Sequence, residues 1–196
     1  MSTIEILEII ATISSLAFLA FLLLNKVIAW PFGILSSAIM CFTFAKANLF
    51  FESMSYVVYV LLGVYGWWYW VANKGKLQEE APIRSHGIRY HLSLIIPGIL
   101  LAVMMGYVGG IIGSDIPYFD AFTTVFALIA TYLEARKVLQ SWYYWLLMNP
   151  LGVILYFIKG FEQYAWLMVV YSVMSVFGLI NWTRLYRKQI QYEGQV

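Results

Sequence analysis

The chain has 196 residues, of which 62% are hydrophobic and only 11% charged, whereas a soluble domain usually carries about 25% charged residues. So much apolar surface predicts lipid as the solvent, and a net charge of +2 is too small to indicate a nucleic-acid partner. The single cysteine, Cys41, excludes an internal disulfide, and His86 and His91 have no cysteine partners, so we predict neither a metal nor a cofactor.

Seven apolar segments are long enough to cross a bilayer as helices, for which about 20 mostly apolar residues are needed. Charged and turn residues delimit them at residues 6–24, 27–45, 50–72, 92–113, 118–139, 142–158 and 163–183. The first segment follows Glu5 and has no basic leader, so it is predicted to be a membrane helix rather than a cleaved signal. Since helices satisfy their own backbone groups in hydrocarbon, we predict an all-α integral membrane protein with seven transmembrane helices.

The basic residues lie mainly on one side of these segments. With the N-terminus outside, ten of the twelve Lys and Arg residues fall in inner loops or the C-terminal tail, and Lys46 and Lys159 are the two outside. The inner set is Lys26, Lys74, Lys76, Arg84, Arg89, Arg136, Lys137, Arg184, Arg187 and Lys188. Cytoplasmic loops are enriched in Lys and Arg. We therefore predict a multi-pass protein of the bacterial inner membrane, with its N-terminus outside and its C-terminus cytoplasmic.

Segments 3 and 7 match each other at an offset of 112 residues. The shared positions are Val57, Val58, Tyr59, Val64, Gly66 and Trp70, which recur as Val169, Val170, Tyr171, Val176, Gly178 and Trp182. The repeat predicts a 3+1+3 arrangement of parallel three-helix repeats, a SWEET-like architecture with a small-molecule site between the halves. The predicted parts are a first repeat at 1–72, a cytoplasmic loop and linker helix at 73–113, a second repeat at 114–183 and a cytoplasmic tail at 184–196.

The linker segment contains Gly106, Gly109, Gly110 and Gly113, a spacing that lets two helices approach closely. We expect this face to pack within the chain, and a contact in a homo-oligomer is the alternative.

Segment 6 places Trp142, Trp145 and Asn149 on one helical face, because they stand at i, i+3 and i+7. At a rise of about 1.5 Å per residue, the Asn149 amide lies roughly 10 Å inward from the first tryptophan. Pro150 beside it frees a backbone carbonyl one turn earlier. The motif predicts a substrate pocket; an interfacial aromatic belt and a helix–helix hydrogen bond from Asn149 are the alternatives.

Titratable side chains contribute little to the predicted membrane interior. Tyr59 and Tyr171 lie near mid-depth, where a core role and a pore role fit the sequence equally. Glu134 lies near the inner end of segment 5, so we expect an interfacial ion pair with Arg136 or Lys137. Proton- and ion-coupled carriers usually need a deep carboxylate, and none is predicted, so we expect uncoupled facilitated diffusion. A pocket of Trp, Tyr and a neutral amide suits a flat aromatic cation.

Four short motifs are, together, similar to those of a known family. They are Trp30-Pro-Phe-Gly, Tyr65-Gly-Trp-Trp-x-Trp70, Pro117-x-x-Asp120 and Arg136-Lys-x-x-x-x-Trp142-x-x-Trp145-x-x-x-Asn149. The chain resembles the Pnu family of bacterial vitamin transporters over nearly its whole length. The resemblance implies a 3+1+3 fold and a substrate that is an aromatic cation, either nicotinamide riboside (PnuC type) or thiamine (PnuT type). It also implies facilitated diffusion, with a cytoplasmic kinase that traps the product and need not contact the transporter.

The resemblance also implies that Trp142, Trp145 and Asn149 contact the substrate, and it adds Trp30 and Tyr56 to the candidate residues. Nicotinamide riboside transporters similar to this chain place a Gln eleven residues before the Trp of Tyr-Gly-Trp, where Tyr56 stands here. Tyr offers a ring and one hydroxyl in place of an amide, so thiamine is preferred by a small margin and nicotinamide riboside is the close alternative.

Other functions fit the sequence less well. Riboflavin stays open as a related vitamin, and a SWEET-like carrier of a neutral metabolite is a more distant alternative. The sequence places no cluster of His, Cys or carboxylate side chains at membrane depth, so we do not expect an enzyme.

Overall fold

Seven α-helices make up the described part of the chain, which in this computed structural model is residues 3–46, 50–74 and 80–193. They are α1 (Thr3–Leu23), α2 (Ala29–Lys46), α3 (Phe50–Ala72), α4 (Ile88–Ile111), α5 (Pro117–Ala135), α6 (Ser141–Ile158) and α7 (Glu162–Glu193). The predicted all-α membrane protein with seven helices is confirmed. Lys76 and residues 194–196, which entered the predictions, lie outside the described residues.

Helix ends differ from the predicted spans where backbone conformation, rather than hydropathy, sets the boundary. Helix α5 ends at Ala135, four residues before the predicted 139, and Lys137 then takes a left-handed conformation with a φ of 55°. Helix α7 continues to Glu193, ten residues past the predicted 183. Charged and amide side chains end a membrane span without ending a helix, because Arg, Lys and Gln are good helix formers.

Polar groups are concentrated in three of the helices. By length and composition, α1, α2, α4 and α7 are the described helices that are apolar enough to cross a membrane. The other three carry side chains that lower their hydropathy: Tyr and Trp in α3, Glu134 in α5 and Asn149 in α6. Large apolar side chains such as Leu61, Leu100 and Ile158 are exposed on the outer surface of the bundle. That surface fits lipid contact, whereas Glu134 and Asn149 are buried between helices.

The helices pack as two three-helix units. Helix α2 packs against α1 and α3, and α6 packs against α5 and α7. The units meet where α3 contacts α5 and where α1 contacts α7. Helix α4 packs along α5, where a Cβ at Gly106 would overlap Tyr118, and its His91 also hydrogen-bonds Tyr144 of α6. Gly106 and Gly109 therefore pack within the chain, as expected, whereas Gly110 and Gly113 are exposed and the homo-oligomer contact stays an alternative.

The turns that end α1 and α5 have the same geometry, 112 positions apart. Asn25 has a φ of 61° and Lys137 a φ of 55°, in the region that favours glycine. The amide of Asn25 donates to the carbonyl of Leu22, and the amide of Lys137 donates to that of Glu134, both at 2.8 Å. The repeat is visible in the sequences of α3 and α7. The matching turns show that it also includes α1 and α5, whose sequences do not match.

Two glycines of the repeat are required by the close approach of a tryptophan. The Trp30 ring lies on Gly66, and the Trp142 ring lies on Gly178, again 112 positions apart. A Cβ at either glycine would overlap the indole that covers it. This contact joins α2 to α3 in one unit and α6 to α7 in the other.

Four buried tryptophans, the tryptophan cluster, connect the two units. The ring centroids of Trp30 and Trp70 are 5.6 Å apart, those of Trp70 and Trp182 5.9 Å, and those of Trp182 and Trp142 5.5 Å. The Trp70 Nε1 donates to the Glu134 carbonyl at 3.2 Å, and the Trp182 Nε1 to the Leu22 carbonyl at 2.9 Å. Helix α3 thus donates an indole hydrogen bond to the last turn of α5, and α7 donates one to the last turn of α1.

Residues 80–87 cross one end of the bundle and are called the strap. The end that they cross, where α1, α3 and α5 finish, is called the basic end. The amide of Arg84 donates to the Lys137 carbonyl and its carbonyl accepts from the Leu139 amide, both at 2.8 Å. Gln189 of α7 binds the strap with both atoms of its side-chain amide. The strap is therefore hydrogen-bonded to both the α5–α6 turn and α7.

Lys137 is fully buried beneath the strap. Its Nζ donates to the Ala81 carbonyl at 2.9 Å and lies 3.8 Å from the centroid of the Trp70 ring. Burial lowers the pKa of Lys137 to about 7, and the Glu80 carboxylate acts in the opposite direction. This side chain joins the strap to the tryptophan cluster.

Candidate functional site

The candidate site lies where tyrosine side chains of α3, α6 and α7 converge. The residues within electrostatic range of the Tyr56 hydroxyl are Tyr59, Tyr156, Tyr164 and Tyr171. These five residues, the tyrosine region, are half-buried rather than buried, and Tyr164 lies in the first turn of α7 at one end of the region. The Tyr56 ring stacks on Phe44 at 5.4 Å and is tilted against Tyr59 at 5.7 Å. Three predicted site residues, Tyr56, Tyr59 and Tyr171, are therefore brought together.

Trp145 of α6 is half-buried and lies on the edge of the same region. Its indole N–H faces the Glu134 carboxyl of α5 and interacts with it. The Trp145 Nε1 and the Glu134 Oε1 are both buried, and neither makes a hydrogen bond of regular geometry with the described residues.

Asn149 is buried, and its Nδ2 donates to the Ser175 Oγ at 2.9 Å. Ser175 in turn donates to the Tyr171 carbonyl at 2.8 Å, one turn earlier on α7. The helix–helix hydrogen bond left open by the sequence is thus present. The Oδ1 of Asn149 accepts no hydrogen bond from the described residues, so the amide keeps an acceptor for a ligand.

Trp30 and Trp142, also predicted to contact substrate, lie in the tryptophan cluster. They are 1% and 0% exposed, and each Nε1 is buried without an acceptor among the described residues. A buried indole N–H usually has a partner, so both units keep one unused donor at matching positions. Substrate contact by these two rings stays a prediction.

The expected ion pair between Glu134 and Arg136 or Lys137 is wrong. Glu134 is 1% exposed, and its two basic neighbours are directed elsewhere. Arg136 donates to the Tyr65 hydroxyl at 3.1 Å and lies 5.0 Å from the Tyr69 ring, and Lys137 reaches the strap. Glu134 is still helical, whereas Arg136 caps α5 and Lys137 is left-handed, so the two cations leave the helix in other directions. The one signal in the sequence is the offset of 112 residues, which pairs Glu134 with Leu22.

The opposite end of the bundle is closed by an ion pair on the surface. Lys159 after α6 contacts Asp120 of α5 at 2.6–2.7 Å, with both side chains partly exposed. Such pairs contribute little stability, typically about 0–1 kcal/mol. A depression of about 330 Å³ at the basic end, lined in part by Ala81 and Gln189, does not include the tyrosine region. Among the described residues, three or more His, Cys, Asp or Glu nowhere group in a way that could hold a metal.

These features define a class of protein. Two matched three-helix units, with a half-buried region of polar and aromatic side chains, form the architecture of a small-molecule transporter. The crystal structure of the vitamin B3 transporter PnuC has the same fold, with a TM-score of 0.76 at 22% sequence identity. The superposition covers 93% of this chain and 82% of that chain.

The sequence then places the chain in a family. The family described as nicotinamide mononucleotide transporter matches residues 5–184, so the chain belongs to it. The riboflavin/roseoflavin transporter RibM of Streptomyces davaonensis is 25% identical over 160 residues, which is 78% of this chain and 73% of that protein. The nicotinamide riboside transporter PnuC of Neisseria mucosa is 23% identical over 175 residues, 84% of this chain and 66% of that protein.

A third relative, the nicotinamide riboside transporter PnuC of Escherichia coli, is 18% identical over 191 residues, covering 85% of this chain and 80% of that protein. The resemblance to the Pnu family is confirmed. Its members and structural neighbours are transporters and not enzymes, so this chain is a multi-pass membrane transporter.

Proposed function

We propose that this chain carries a flat aromatic vitamin compound into the cell, with nicotinamide riboside as the first candidate. The observation that supports this most is the convergence of half-buried Tyr56, Tyr59 and Tyr171 near Trp145 and the free Oδ1 of Asn149. Aromatic faces suit a pyridinium ring, and tyrosine hydroxyls with an amide oxygen suit ribose hydroxyls. Two of the relatives named above are nicotinamide riboside transporters.

Thiamine is the second candidate, and Tyr56 supports it. The Tyr56 ring, fixed by its stacking on Phe44, supplies an aromatic wall where an amide would hydrogen-bond a ribose or a carboxamide. Replacing Tyr56 with Gln is expected to shift the ratio of affinities towards the riboside. An unchanged ratio would remove the support for thiamine.

The orientation and energetics of transport are part of the proposal. Transport is uncoupled, the N-terminus is outside, the C-terminus is cytoplasmic, and a cytoplasmic kinase traps the product by phosphorylation. Glu134 is a buried carboxyl group near the end of α5, so coupling needs a direct test. Uptake of labelled substrate into liposomes should proceed without a proton or sodium gradient; a requirement for either gradient would contradict facilitated diffusion.

The function itself is tested by calorimetry on the purified protein with nicotinamide riboside, thiamine and riboflavin, and with glucose as a neutral, non-aromatic control. At least one vitamin should bind in the micromolar range and glucose should not bind. Binding of glucose alone, or of no vitamin, would overturn the proposal.

A further inference from the structure

The buried carboxyl group of Glu134 has no cationic partner within the described part of the chain. Its side chain is 1% exposed, and Oε1 has no hydrogen-bond partner. Arg136 and Lys137 follow it directly, yet their charged groups lie at Tyr65 and at the strap. A buried carboxyl group without a partner is costly, and most of all when it is ionised, so this position calls for a function that offsets the cost.

The fold does not require a carboxylate at this position. Its counterpart 112 positions earlier is Leu22, which is also 1% exposed. The two carbonyls have the same role, since each accepts the indole hydrogen bond of a tryptophan from the other unit. The equivalent position is therefore leucine in one unit and glutamate in the other, so the backbone contacts do not depend on a carboxyl group.

The surroundings of the carboxyl belong to the candidate site. Trp145 lies beside it, with an indole Nε1 that faces the carboxyl without a hydrogen bond of regular geometry, and the Tyr59 hydroxyl lies within electrostatic range. Helices α3, α5 and α6 thus each contribute one of these three side chains. An anion next to aromatic faces is the chemistry that binds a flat ring with a delocalised positive charge.

We propose that Glu134 is the counter-ion for the positively charged ring of the substrate and so makes the transporter selective for cationic over neutral aromatic compounds. The inference rests on the proposed function, since it assigns a charge requirement to the same site. The ring lies between the Glu134 carboxylate and the Trp145 indole, which has its own N–H available for the substrate or the carboxylate. A neutral ring in the same place leaves the carboxylate unpaired.

The test compares nicotinamide riboside with its uncharged dihydro form, which has nearly the same shape, and adds thiamine and riboflavin. Dissociation constants are measured by calorimetry for the wild type, for Glu134→Gln and for Glu134→Leu, which copies the residue of the other unit. Glu162→Gln, at an exposed position of the opposite end, is the matched control for the loss of one negative charge. Thermal unfolding confirms that each variant is folded.

The wild type should bind the cations at least about tenfold more tightly than the dihydro riboside. Either Glu134 variant should weaken cation binding about tenfold or more and change binding of the uncharged form by less than about threefold, and Glu162→Gln should change neither. Equal losses for charged and uncharged ligands, or no loss, would overturn the counter-ion role. If the wild type binds riboflavin or the dihydro form as tightly as the cations, the vitamin proposal stands and this one falls. If it binds none of the four, both fall.

Discussion

Three side chains share one face of α6 but have different surroundings: Trp142, Trp145 and Asn149. Trp145 is half-buried beside the Glu134 carboxyl, whereas Trp142 has no exposed surface and covers Gly178. Asn149 combines both situations, because its Nδ2 is bonded to Ser175 and its Oδ1 is free. The motif therefore combines a proposed binding position with a packing position within two turns of helix.

Replacing Trp145 with Ala is expected to weaken substrate binding about tenfold, because one aromatic face is lost, with little change in stability. Replacing Trp142 with Ala should instead reduce stability by about 3–5 kcal/mol, since a buried indole in contact with Trp182 and Gly178 is removed. Calorimetry and thermal unfolding in detergent separate the two effects. A Trp142→Ala protein that is as stable as the wild type would contradict the packing role.

The glycine contacts make a second prediction at this scale. Gly178→Ala and Gly66→Ala should each destabilise the protein by about 1–3 kcal/mol, because a Cβ would overlap Trp142 or Trp30. Gly110→Ala is the control, since that glycine is also helical and a Cβ there would meet Pro117 at an ordinary 3.7 Å. Melting temperatures for the three variants check the prediction, and equal effects at all three positions would refute it.

At the scale of elements, the strap and the turns beneath it hold the basic end of the bundle together. The strap pairs with the α5–α6 turn, and Lys137 from that turn is buried between the strap and Trp70. The equivalent turn after α1 carries Asn25 at the corresponding position, with the same left-handed backbone. The second unit therefore has a lysine where the first has an asparagine, and the longer side chain reaches the strap.

Lys137 should make stability depend on pH. Its pKa is lowered to about 7 in the folded protein, from an ordinary value of 10.5, chiefly by burial. Between these values the unfolded chain binds more protons than the folded one, so stability rises with pH through this window, by at most about 1.4 kcal/mol per pH unit. Below pH 7 both states are protonated and the gain is absent.

The measurement is thermal unfolding of the wild type and Lys137→Met between pH 6 and 10. The melting temperature of the wild type should rise more steeply above pH 7 than that of the variant, which keeps the apolar stem and lacks the amine. Parallel curves for the two proteins would show that Lys137 does not cause the pH dependence.

At the scale of the whole molecule, two three-helix units meet around the tryptophan cluster at one end and the tyrosine region further in. Matching contacts from each unit, Trp70 to the Glu134 carbonyl and Trp182 to the Leu22 carbonyl, fix how the units face each other at that end. A site formed by side chains from both units can change shape when the units move relative to each other, as alternating access requires.

Orientation is a prediction that belongs to this scale. The excess of Lys and Arg in loops on one side should place the C-terminus in the cytoplasm. A C-terminal fusion to green fluorescent protein should therefore be fluorescent in cells, and a fusion to alkaline phosphatase should be inactive. The opposite result for both fusions would reverse the orientation and the direction assigned to uptake.

The sequence by itself determined the number of helices, their membrane location, the repeat between α3 and α7 and the family. Hydropathy and motif spacing are properties of one segment at a time, so they can be read without knowing what a segment touches. The tyrosine region was reached only in part, because Tyr156 and Tyr164 come within range of Tyr56 only when the two three-helix units are assembled.

Only the tertiary structure decided that Glu134 is buried, that Trp142 packs while Trp145 keeps free surface, and that a strap covers Lys137. In the sequence, Glu134 stands two residues from Arg136 and next to a predicted membrane surface, so an ion pair was the natural prediction. The end of α5 and its turn direct the neighbouring cations away, and the direction of a side chain depends on backbone conformation and on the helices around it. Glu134 and Leu22 correspond because their backbone carbonyls accept matching indole hydrogen bonds. The identities of the two side chains give no sign of this.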